Sequence, residues 1–342
     1  MGYPIRVLVV DDSPFMRRAL KRRIESDERF QVADTAEDGR EAVEKAIALQ
    51  PDVVTLDVEM PVLNGLEALR QIVARTSIPV VMVSSVTEAG ARVTMEALSI
   101  GAIDFVQKSK AEGRLHETLL AAAHANPALR RRDMRPAPQP VPLRPPPAFR
   151  SAPARSNAKI VVIGSSTGGP QALEHVLAAL PADLHPPIVV AQHMPPHFTA
   201  VLAKRLDGVC ALSVREAAHG EPLAPGVAYI APGGAHLRVG PNGLIVAKER
   251  GESLYCPSVD VLAESARDVF GRHVLAVMLT GMGNDGARGF QALKAAGATI
   301  IAQDQGSSVV YGMPKAVADA GAVDEILPLS QIGPRVRQLL GR

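Results

Sequence analysis

Short apolar runs alternate with amphipathic segments along the first third of the chain. The runs are rich in β-branched residues, as buried strands are, and they lie at residues 5–10, 30–33, 53–57, 78–84 and 103–106. Between them, apolar residues recur with a helical period, for example at 41–49 and 66–74. This alternation predicts five βα units and a parallel sheet covered on both faces, which is an α/β domain of the flavodoxin-like (βα)5 type.

The same alternation returns in the second half of the chain. Strand candidates lie at residues 159–164, 187–192, 273–280 and 298–302. A stretch rich in Gly and Pro, at 220–251, interrupts the pattern and carries three short alternating segments, which predict antiparallel hairpins. These segments lie at 227–230, 236–239 and 244–247. We therefore expect a mostly parallel, Rossmann-like α/β domain with a β-hairpin insertion.

The segment at 126–157 differs in composition from both halves. It contains nine prolines, from Pro127 to Pro153, together with seven arginines. Proline at this density excludes a regular helix or a central strand and favours an extended linker. The arginines have no interleaved series of aromatic residues, so a solvated basic linker is favoured over a nucleic-acid-binding segment. The expected domains are thus residues 1–125 and 158–342, joined by a linker at 126–157.

Length and charge narrow the classes of protein that fit. The chain has 342 residues, which is room for two domains, since single cores stop growing near about 250–300 residues. A net charge of +2 gives no electrostatic argument for nucleic acid or a membrane surface. Two distant cysteines fit a reducing compartment, and no apolar run approaches the about 18 residues of a membrane span. We expect a cytoplasmic protein with no nucleic-acid partner and no direct membrane insertion.

Carboxylates follow the predicted strands of the first domain. Asp11 and Asp12 come directly after the first strand, and Asp57 ends the third. Ligands bind at the carboxyl ends of parallel strands, where these side chains should meet. Carboxylates so close repel one another unless they share a hard cation, and Mg²⁺ suits oxygen ligands. For each residue taken alone, a helix N-cap is the alternative role.

A hydroxyl and an ammonium group are expected at the same edge, because Ser84 ends the fourth strand and Lys108 follows the fifth. The whole set resembles the receiver domain of two-component response regulators. The segments that carry the resemblance are Val-Val-Asp-Asp-Ser at 9–13, Leu-Asp-Val-Glu-Met-Pro at 56–61 and Gly-Ala-Ile-Asp-Phe-Val-Gln-Lys at 101–108. Few folds combine these segments in this order, so residues 1–125 are expected to form a receiver domain.

The resemblance implies a role for each residue of the set. Asp57 would accept a phosphoryl group from a histidine kinase, with Asp11 and Asp12 holding Mg²⁺ beside it. The residues that would sense the phosphoryl group are Ser84, Lys108 and the aromatic switch Phe105. The sequence departs from the receiver pattern twice: Ser109 stands where proline is common, and Asn64 stands where an acidic residue is frequent. A cis bond before a residue other than proline costs about 3 kcal/mol, so Ser109 is expected to hold the phosphorylated state less firmly.

Ser166 lies at a turn that favours a nucleophile. The segment Gly-Ser-Ser-Thr-Gly-Gly-Pro, at 164–170, follows an apolar strand and opens a helix with Pro170 near its start. Its spacing satisfies G-x-S-x-G, in which the serine stands on a strained strand-to-helix turn and the helix offers N–H groups to an oxyanion. A glycine-rich turn of this kind can also hold a phosphate, which leaves dinucleotide binding as an alternative.

A serine nucleophile needs a base and a carboxylate that orients it. His193 follows the predicted strand at 187–192, so it should reach the same sheet edge as Ser166. His197 is a weaker candidate, because it begins what looks like a helix. Asp285 lies in the loop after the strand at 273–280. The chain order Ser, His, Asp disfavours a standard α/β-hydrolase fold, while the triad chemistry remains possible.

Further segments make the C-terminal half similar to the chemotaxis protein-glutamate methylesterase family. They are Gln-His-Met-Pro-Pro at 192–196, Tyr-Ile-Ala-Pro-Gly at 229–233, Pro-Ser-Val-Asp-Val-Leu at 257–262, Leu-Thr-Gly-Met-Gly-Asn-Asp-Gly at 279–286 and Tyr-Gly-Met-Pro at 311–314. The resemblance implies a Ser166, His193 and Asp285 triad, with backbone N–H groups near Thr167 and Met282 as the oxyanion hole. Cys256 stands where the family usually has arginine, which bears on substrate recognition.

The resemblance also implies a function and its regulation. Glutamyl γ-methyl esters on chemoreceptors would be hydrolysed to glutamate and methanol, with deamidation of receptor glutamines in some members and no cofactor for the esterase reaction. The unphosphorylated receiver would block the active site. Three alternatives stay open: a non-chemotaxis pathway with a changed substrate, a DNA-binding response regulator and a nucleotide-binding oxidoreductase. A DNA-binding regulator would need a basic recognition helix, which the sequence does not show. An oxidoreductase would need an acidic residue at the end of the second strand of the C-terminal domain, where this sequence has Gln192 and His193.

Overall fold

A computed structural model describes residues 3–84, 87–108, 115–126, 156–248 and 253–341 of the chain. Ser109 and all but the ends of the expected linker at 126–157 lie outside the described residues, so the linker boundaries stay a prediction. Every helix in the described part of the chain is too short or too polar to cross a lipid bilayer.

The N-terminal domain alternates strands and helices as expected. Its strands are β1 (Ile5–Val10), β2 (Phe30–Ala36), β3 (Val53–Asp57), β4 (Val80–Ser84) and β5 (Asp104–Gln107). Its helices are α1 (Pro14–Ile24), α2 (Gly39–Leu49), α3 (Gly65–Arg75), α4 (Glu88–Ile100) and α5 (Leu115–Ala123). The sheet has the order β2-β1-β3-β4-β5, and all neighbouring strands are parallel. The predicted receiver fold is confirmed.

Side-chain caps explain where several of these helices begin. The side chains of Ser13, Asp38, Asn64 and Thr87 accept hydrogen bonds from the first-turn N–H groups of α1, α2, α3 and α4. Each cap satisfies a donor that has no partner within the helix, which is typically worth about 1 kcal/mol. The two central strands β3 and β4 are wholly buried, as expected for a parallel sheet with helices on both faces.

The C-terminal domain is built on a larger parallel sheet. Its strands are β6 (Ile160–Ser165), β7 (Ile188–Gln192), β8 (Ser213–Glu216), β9 (Val227–Ile230), β10 (His236–Gly240), β11 (Gly243–Ala247), β12 (Val274–Met278), β13 (Thr299–Gln303) and β14 (Glu325–Leu327). Its helices are α6 (Gly169–Ala178), α7 (Phe198–Asp207), α8 (Val259–Phe270), α9 (Ala287–Ala295), α10 (Met313–Asp319) and α11 (Leu329–Leu339), with a short 3₁₀ helix at Gly271–His273. Seven strands form one sheet in the order β14-β13-β12-β6-β7-β9-β8.

The hairpin prediction is right for two of its three segments. β10 and β11 pair antiparallel and form the inserted hairpin. β9 instead pairs in parallel with β7 and β8, so the assignment of 227–230 to a hairpin is wrong. Its four residues are all buried, which distinguishes a central strand from a half-exposed hairpin arm. The sequence pattern does not predict β8 and β14, because these short strands, Ser-Val-Arg-Glu and Glu-Ile-Leu, contain polar residues and form no continuous apolar run.

Each sheet changes direction next to its first strand. In the N-terminal sheet β1 lies between β2 and β3, and in the C-terminal sheet β6 lies between β7 and β12. At such a point the two helices that leave the neighbouring strands diverge to opposite faces, which opens a crevice at the carboxyl ends of the strands. The two predicted sites lie at these two crevices.

The two domains pack against each other through apolar side chains. Met95 and Leu98 of α4 belong to the same buried cluster as Leu202 and Leu206 of α7. Beside this contact a cavity of about 800 Å³ separates the domains, and residues of both line it. The packing leaves the edge formed by β5 and α5 facing the carboxyl end of the C-terminal sheet.

Replacement of a core residue in the N-terminal sheet should destabilise the receiver domain. Leu8 in β1 is 0% exposed, so Leu8→Ala should lower the free energy of unfolding by about 2–5 kcal/mol. Urea denaturation followed by circular dichroism measures the change. Ile47→Ala, at a position 42% exposed, is the control and should cost about 1 kcal/mol or less. Equal losses for the two variants would contradict the assignment of β1 to the core.

Candidate active site and phosphorylation site

A tight turn after β6 presents Ser166 at the edge of the C-terminal sheet. Gly168 has a φ of 76°, in the left-handed region that favours glycine, and α6 begins directly after it. A Cβ atom on Gly169 would lie 1.9 Å from Gln192 Oε1, so α6 approaches β7 too closely for a side chain. Gly168 thus forms the sharp turn that G-x-S-x-G spacing predicts, and Gly169, directly after the motif, allows the close approach of α6 to β7.

Two polar side chains hold this turn. Gln192 donates from Nε2 to Ser166 O at 2.9 Å and accepts at Oε1 from Ser165 Oγ at 2.6 Å. Thr280, which follows β12, accepts at its carbonyl from Ser166 N at 3.0 Å and donates from Oγ1 to Thr167 O at 3.0 Å. The backbone on both sides of Ser166 is therefore fixed from both neighbouring strands.

His193 and Asp285 meet beside this turn. His193 follows β7 directly, and Asp285 lies in the loop after β12, so both reach the edge at which Ser166 lies. The distance from His193 Nε2 to Asp285 Oδ2 is 2.7 Å. Burial by itself raises the pKa of the Asp285 carboxyl, but the contact with His193 and other hydrogen bonds outweigh it and bring the pKa below its usual value. Asp285 is therefore an ionised acceptor that orients the imidazole.

The N-terminus of α8 stabilises the buried carboxylate of Asp285. Ser258, the N-cap residue, donates from Oγ to Asp285 Oδ1 at 2.8 Å. The first two backbone N–H groups of the helix, of Val259 and Asp260, donate to Asp285 Oδ2 at 2.6 Å and to Oδ1 at 3.2 Å. Helix N-terminal N–H groups and the helix dipole both favour a negative charge there.

The second nitrogen of the imidazole has no hydrogen-bond partner among the residues that the structure describes. His193 Nδ1 is buried and makes no hydrogen bond to any described residue, Ser166 included. The ring of Tyr255 stacks on the imidazole, with centroids 4.3 Å apart and planes 3° apart. Since Nε2 contacts Asp285, Nδ1 is the nitrogen whose lone pair remains for a proton.

The two predicted oxyanion-hole positions lie at the same pocket as Ser166. Thr167 and Met282 line a small pocket together with Ser166 and Tyr255. In the described part of the chain, the backbone N–H groups of Thr167 and Met282 donate no hydrogen bond. Both donors are therefore available to a charge that develops on a bound carbonyl oxygen.

Helix α5 of the receiver closes this pocket. Glu117 and Thr118 complete its lining, and its volume is about 10 Å³. A single water needs about 10–15 Å³, so the pocket has no room for an amino acid side chain. Ser166 is only 4% exposed in this arrangement.

The three predicted aspartates of the receiver lie together. Carboxylate oxygens of Asp11, Asp12 and Asp57 lie within 4.8 Å of one another, and Asp11 and Asp57 are buried while Asp12 is exposed. Arg17, which the sequence did not single out, donates to the carbonyl oxygens of Asp11 and Asp12 at 2.8 and 2.9 Å. Three hard oxygen donors at a sheet edge fit a divalent cation such as Mg²⁺.

Lys108 contacts both buried aspartates. Its ammonium group lies 2.7 Å from Asp57 Oδ2 and 2.9 Å from Asp11 Oδ2, the second contact lacking the direction of a hydrogen bond. Burial raises the pKa of Asp57 more than the nearby ammonium lowers it. Burial acts to lower the pKa of Lys108, but the two carboxylates outweigh it and raise the pKa above its usual value. Lys108 therefore keeps its positive charge beside Asp57.

The other two predicted sensing residues contact different partners. Ser84 Oγ accepts a hydrogen bond from Thr94 Oγ1 of α4 at 2.8 Å. Phe105 is buried and stacks on Phe198 of the C-terminal domain, with centroids 4.3 Å apart. The structure thus brings Ser84 and Lys108 to the carboxyl edge of the receiver sheet, and it places Phe105 at the domain interface.

Residues to which the sequence assigned minor roles lie outside the triad. His197 is exposed at the start of α7, and its side chain makes no cap hydrogen bond. Met194 is packed in the core. Burial raises the pKa of the Cys210 thiol to about 11, so this cysteine is a poor nucleophile. Asn64 caps α3. Cys256 is half-buried, and its carbonyl oxygen accepts from Gly234 N at 3.2 Å.

Sequence reasoning missed four residues that support the site. Gln192 and Thr280 are polar residues at the ends of buried apolar strands, which is the signal that identified His193. Ser258 precedes an amphipathic helix, so its role as a cap could have been expected. For Tyr255 the sequence carries no signal, because its partner is 62 positions away.

Comparisons with known proteins match both halves of the chain to known families. The family model CheB methylesterase matches residues 161–336, and the response regulator receiver domain matches residues 7–120. A protein-glutamate methylesterase/protein-glutamine glutaminase of Geobacillus kaustophilus is 47% identical over 351 residues, covering 98% of this chain and 99% of that protein. Protein-glutamate methylesterase/protein-glutamine glutaminase 1 of Vibrio cholerae is 44% identical over 369 residues, covering 97% of this chain and 98% of that protein. The crystal structure of the catalytic domain of Thermotoga maritima CheB methylesterase has a TM-score of 0.52 and 43% identity, covering 53% of this chain and 98% of that chain.

Removal of the Ser258 hydroxyl should destabilise the C-terminal domain. Ser258→Ala loses both the cap of α8 and one hydrogen bond to a buried carboxylate, which together should cost about 1–3 kcal/mol of the free energy of unfolding. Ser258→Thr keeps the hydroxyl and should recover most of it. Urea denaturation measures both, with Ser213→Ala at an exposed position as the control. A loss no larger than that of the control would refute the role of Ser258.

Proposed function

The chain belongs to the CheB methylesterase family and is an ester hydrolase with a receiver domain, and we propose that Ser166, His193 and Asp285 are its catalytic triad. The names of its relatives indicate glutamyl methyl esters and glutamines of a protein as substrates, and the resemblance to the chemotaxis family makes chemoreceptors that protein. The observation that carries the proposal is the buried contact between His193 and Asp285, which leaves one imidazole nitrogen for a serine proton.

The reaction follows from the roles of these groups. Ser166 Oγ attacks the ester carbonyl carbon while its proton passes to His193 Nδ1, and the N–H groups of Thr167 and Met282 donate to the oxyanion that forms. When the tetrahedral intermediate collapses, the proton passes to the leaving oxygen and methanol departs. Water then attacks the acyl group, with His193 again taking a proton, and releases glutamate and free Ser166. With a glutamine substrate, ammonia takes the place of methanol.

The receiver half supplies the regulation. Asp57 is the acceptor for a phosphoryl group from the chemotaxis histidine kinase, and Lys108 and Ser84 bind its oxygens. Asp11, Asp12 and Asp57 would hold Mg²⁺, which when bound neutralises negative charge on the incoming phosphoryl group. The distance of 2.7 Å between Lys108 Nζ and Asp57 Oδ2 supports this assignment. The two isolated cysteines support a cytoplasmic location.

The closed pocket around Ser166 supports autoinhibition by the receiver. Thr167 Oγ1 donates to Asp104 Oδ2 of β5 at 2.5 Å, directly beside the nucleophile. Phe105 stacks on Phe198, which lies five residues beyond His193. Substrate can reach Ser166 only when these contacts break. A phosphoryl group on Asp57 favours that open arrangement because it attracts the ammonium group of Lys108, which directly follows β5.

The alternatives have less support. The match of residues 161–336 to a methylesterase model leaves no part of the C-terminal half for a DNA-binding or dinucleotide-binding domain. A signalling pathway other than chemotaxis is the remaining alternative, and the substrate distinguishes it. Release of methanol from methylated chemoreceptors assigns the chain to chemotactic adaptation, and release from another methylated protein would assign it elsewhere.

Methanol release should depend on Ser166 and increase with a phosphodonor. Methylated chemoreceptor membranes are incubated with the full chain, with and without acetyl phosphate and Mg²⁺. We expect faster release with the phosphodonor, and a loss of more than about 10³-fold for Ser166→Ala, because the nucleophile is absent. Ser213→Ala, which removes a serine hydroxyl at an exposed position away from the site, is the control. Activity that persists in Ser166→Ala would exclude the proposed nucleophile, and activity that ignores the phosphodonor would exclude the proposed switch.

Removal of the Asp104 carboxylate should activate the unphosphorylated enzyme. Asp104→Ala breaks the hydrogen bond to Thr167, and a charge-assisted bond of this kind is worth about 1.5–3 kcal/mol. Basal methanol release should therefore increase about 10- to 100-fold, since each 1.4 kcal/mol changes an equilibrium about tenfold, while the rate with phosphodonor stays the same. Asp27→Ala, which breaks a surface pair with Arg29, is the control. Unchanged basal activity in Asp104→Ala would show that this contact does not hold the domains together.

A further inference from the structure

Tyr255 lies flat against the base of the proposed triad. The centroids of the Tyr255 and His193 rings are 4.3 Å apart, and the ring planes differ by 3°. Neither the reaction nor the family resemblance assigns a role to this tyrosine. We propose that Tyr255 is a positioning residue that fixes the plane of the His193 imidazole and stabilises the positive charge the ring gains in the transition state. This inference rests on the proposed role of His193 as the base.

The imidazole needs such a constraint because one of its nitrogens is unbonded. Asp285 fixes the position of Nε2 at 2.7 Å, while Nδ1 has no hydrogen-bond partner among the described residues. The side-chain torsion next to a planar ring is broad, so a single hydrogen bond leaves the ring free to tilt. A flat neighbour in contact with the whole face of the ring removes that tilt and keeps Nδ1 in a fixed plane.

Tyr255 is itself held on two sides. Its backbone N–H donates to Ser253 Oγ at 3.3 Å, and Ser253 Oγ donates to its carbonyl oxygen at 2.9 Å. At the other end, a Cβ atom on Gly283 would lie 2.8 Å from Tyr255 Oη. The tyrosine therefore extends from the imidazole to the Met282–Gly283 backbone, and it sets the spacing between the proposed base and one oxyanion donor.

The stacked ring also has an electrostatic effect that differs between ground and transition states. In the role of base, the His193 imidazole gains a positive charge when it takes the serine proton. The face of an aromatic ring attracts a cation within about 6 Å of its centroid, whereas it has no comparable attraction for the neutral ring. An interaction that is stronger in the transition state increases kcat rather than binding.

A packing role alone would give a different result. Tyr255 also lines the pocket of Ser166, so a tyrosine that only contacted substrate would change KM. A tyrosine that only supported its loop would lower thermal stability, and any bulky side chain would replace it. A positioning role requires a flat aromatic ring and changes kcat for every substrate that uses His193.

The test compares four variants of the full chain, each with acetyl phosphate and Mg²⁺ on methylated chemoreceptor membranes. Tyr255→Ala should lower kcat about tenfold, as expected for a cation–π contact of about 1–2 kcal/mol, with KM within about twofold. Tyr255→Phe should restore kcat, and Tyr255→Leu, which fills the space without a flat ring, should not. Leu254→Ala is the control, because Leu254 is the adjacent residue and is 92% exposed. Deamidation of a receptor glutamine should fall by the same factor as ester hydrolysis.

Three outcomes would overturn the proposal. They are a change in KM alone, a Leu variant as active as the Phe variant, and unequal losses for the ester and the glutamine substrate. Thermal denaturation of each variant shows whether it is folded, and the Leu and Phe variants keep the test valid if Tyr255→Ala unfolds. Ser166→Ala is measured in parallel. If it stays active, the triad itself is wrong, whereas an inactive Ser166→Ala beside a fully active Tyr255→Ala rejects the role of Tyr255 alone.

Discussion

Both sites of this protein depend on the position of one short strand, β5. It has four residues, which at about 3.3 Å per residue span about 13 Å. Asp104 and Phe105 at its start contact the C-terminal domain beside Ser166 and His193. Lys108, immediately after its end, contacts Asp57. A change in charge at Asp57 therefore acts on the same element that closes the active site.

The pairing of β5 with β4 extends this connection. Ser84 lies opposite Gln107 in the parallel register, and Ser84 accepts a hydrogen bond from Thr94 of α4. Since α4 packs on α7 of the C-terminal domain, a second element that reaches the interface is connected to the carboxyl edge of the receiver sheet. The free energy that favours the closed arrangement of the domains must be only a few kcal/mol. A ligand or a modification can shift an equilibrium between two states by no more than the difference between its interaction free energies with them.

The sequence was sufficient where a local pattern determines the structure. Strand ends followed by Asp57 and His193 could be placed at sheet edges, because the carboxyl ends of parallel strands meet. It was insufficient where contacts are distant in the chain. The parallel pairing of β9 follows from its burial in the folded sheet, and the packing of α5 over Ser166 follows from domain docking. Neither the pairing of β9 nor the packing of α5 produces a periodic pattern or a motif in the sequence.

The departure at Cys256 can be located in physical terms. The backbone at this position accepts from Gly234 N and leads into the Ser258 cap, which holds the carboxylate of Asp285. These contacts use the main chain and not the side chain, so a cysteine in place of the arginine usual in the family leaves the support of the triad unchanged. By the family resemblance, the cysteine replaces a positively charged side chain one residue from Tyr255, which lines the pocket. We therefore expect the difference to affect attraction of an acidic substrate helix and to leave the chemistry at Ser166 intact.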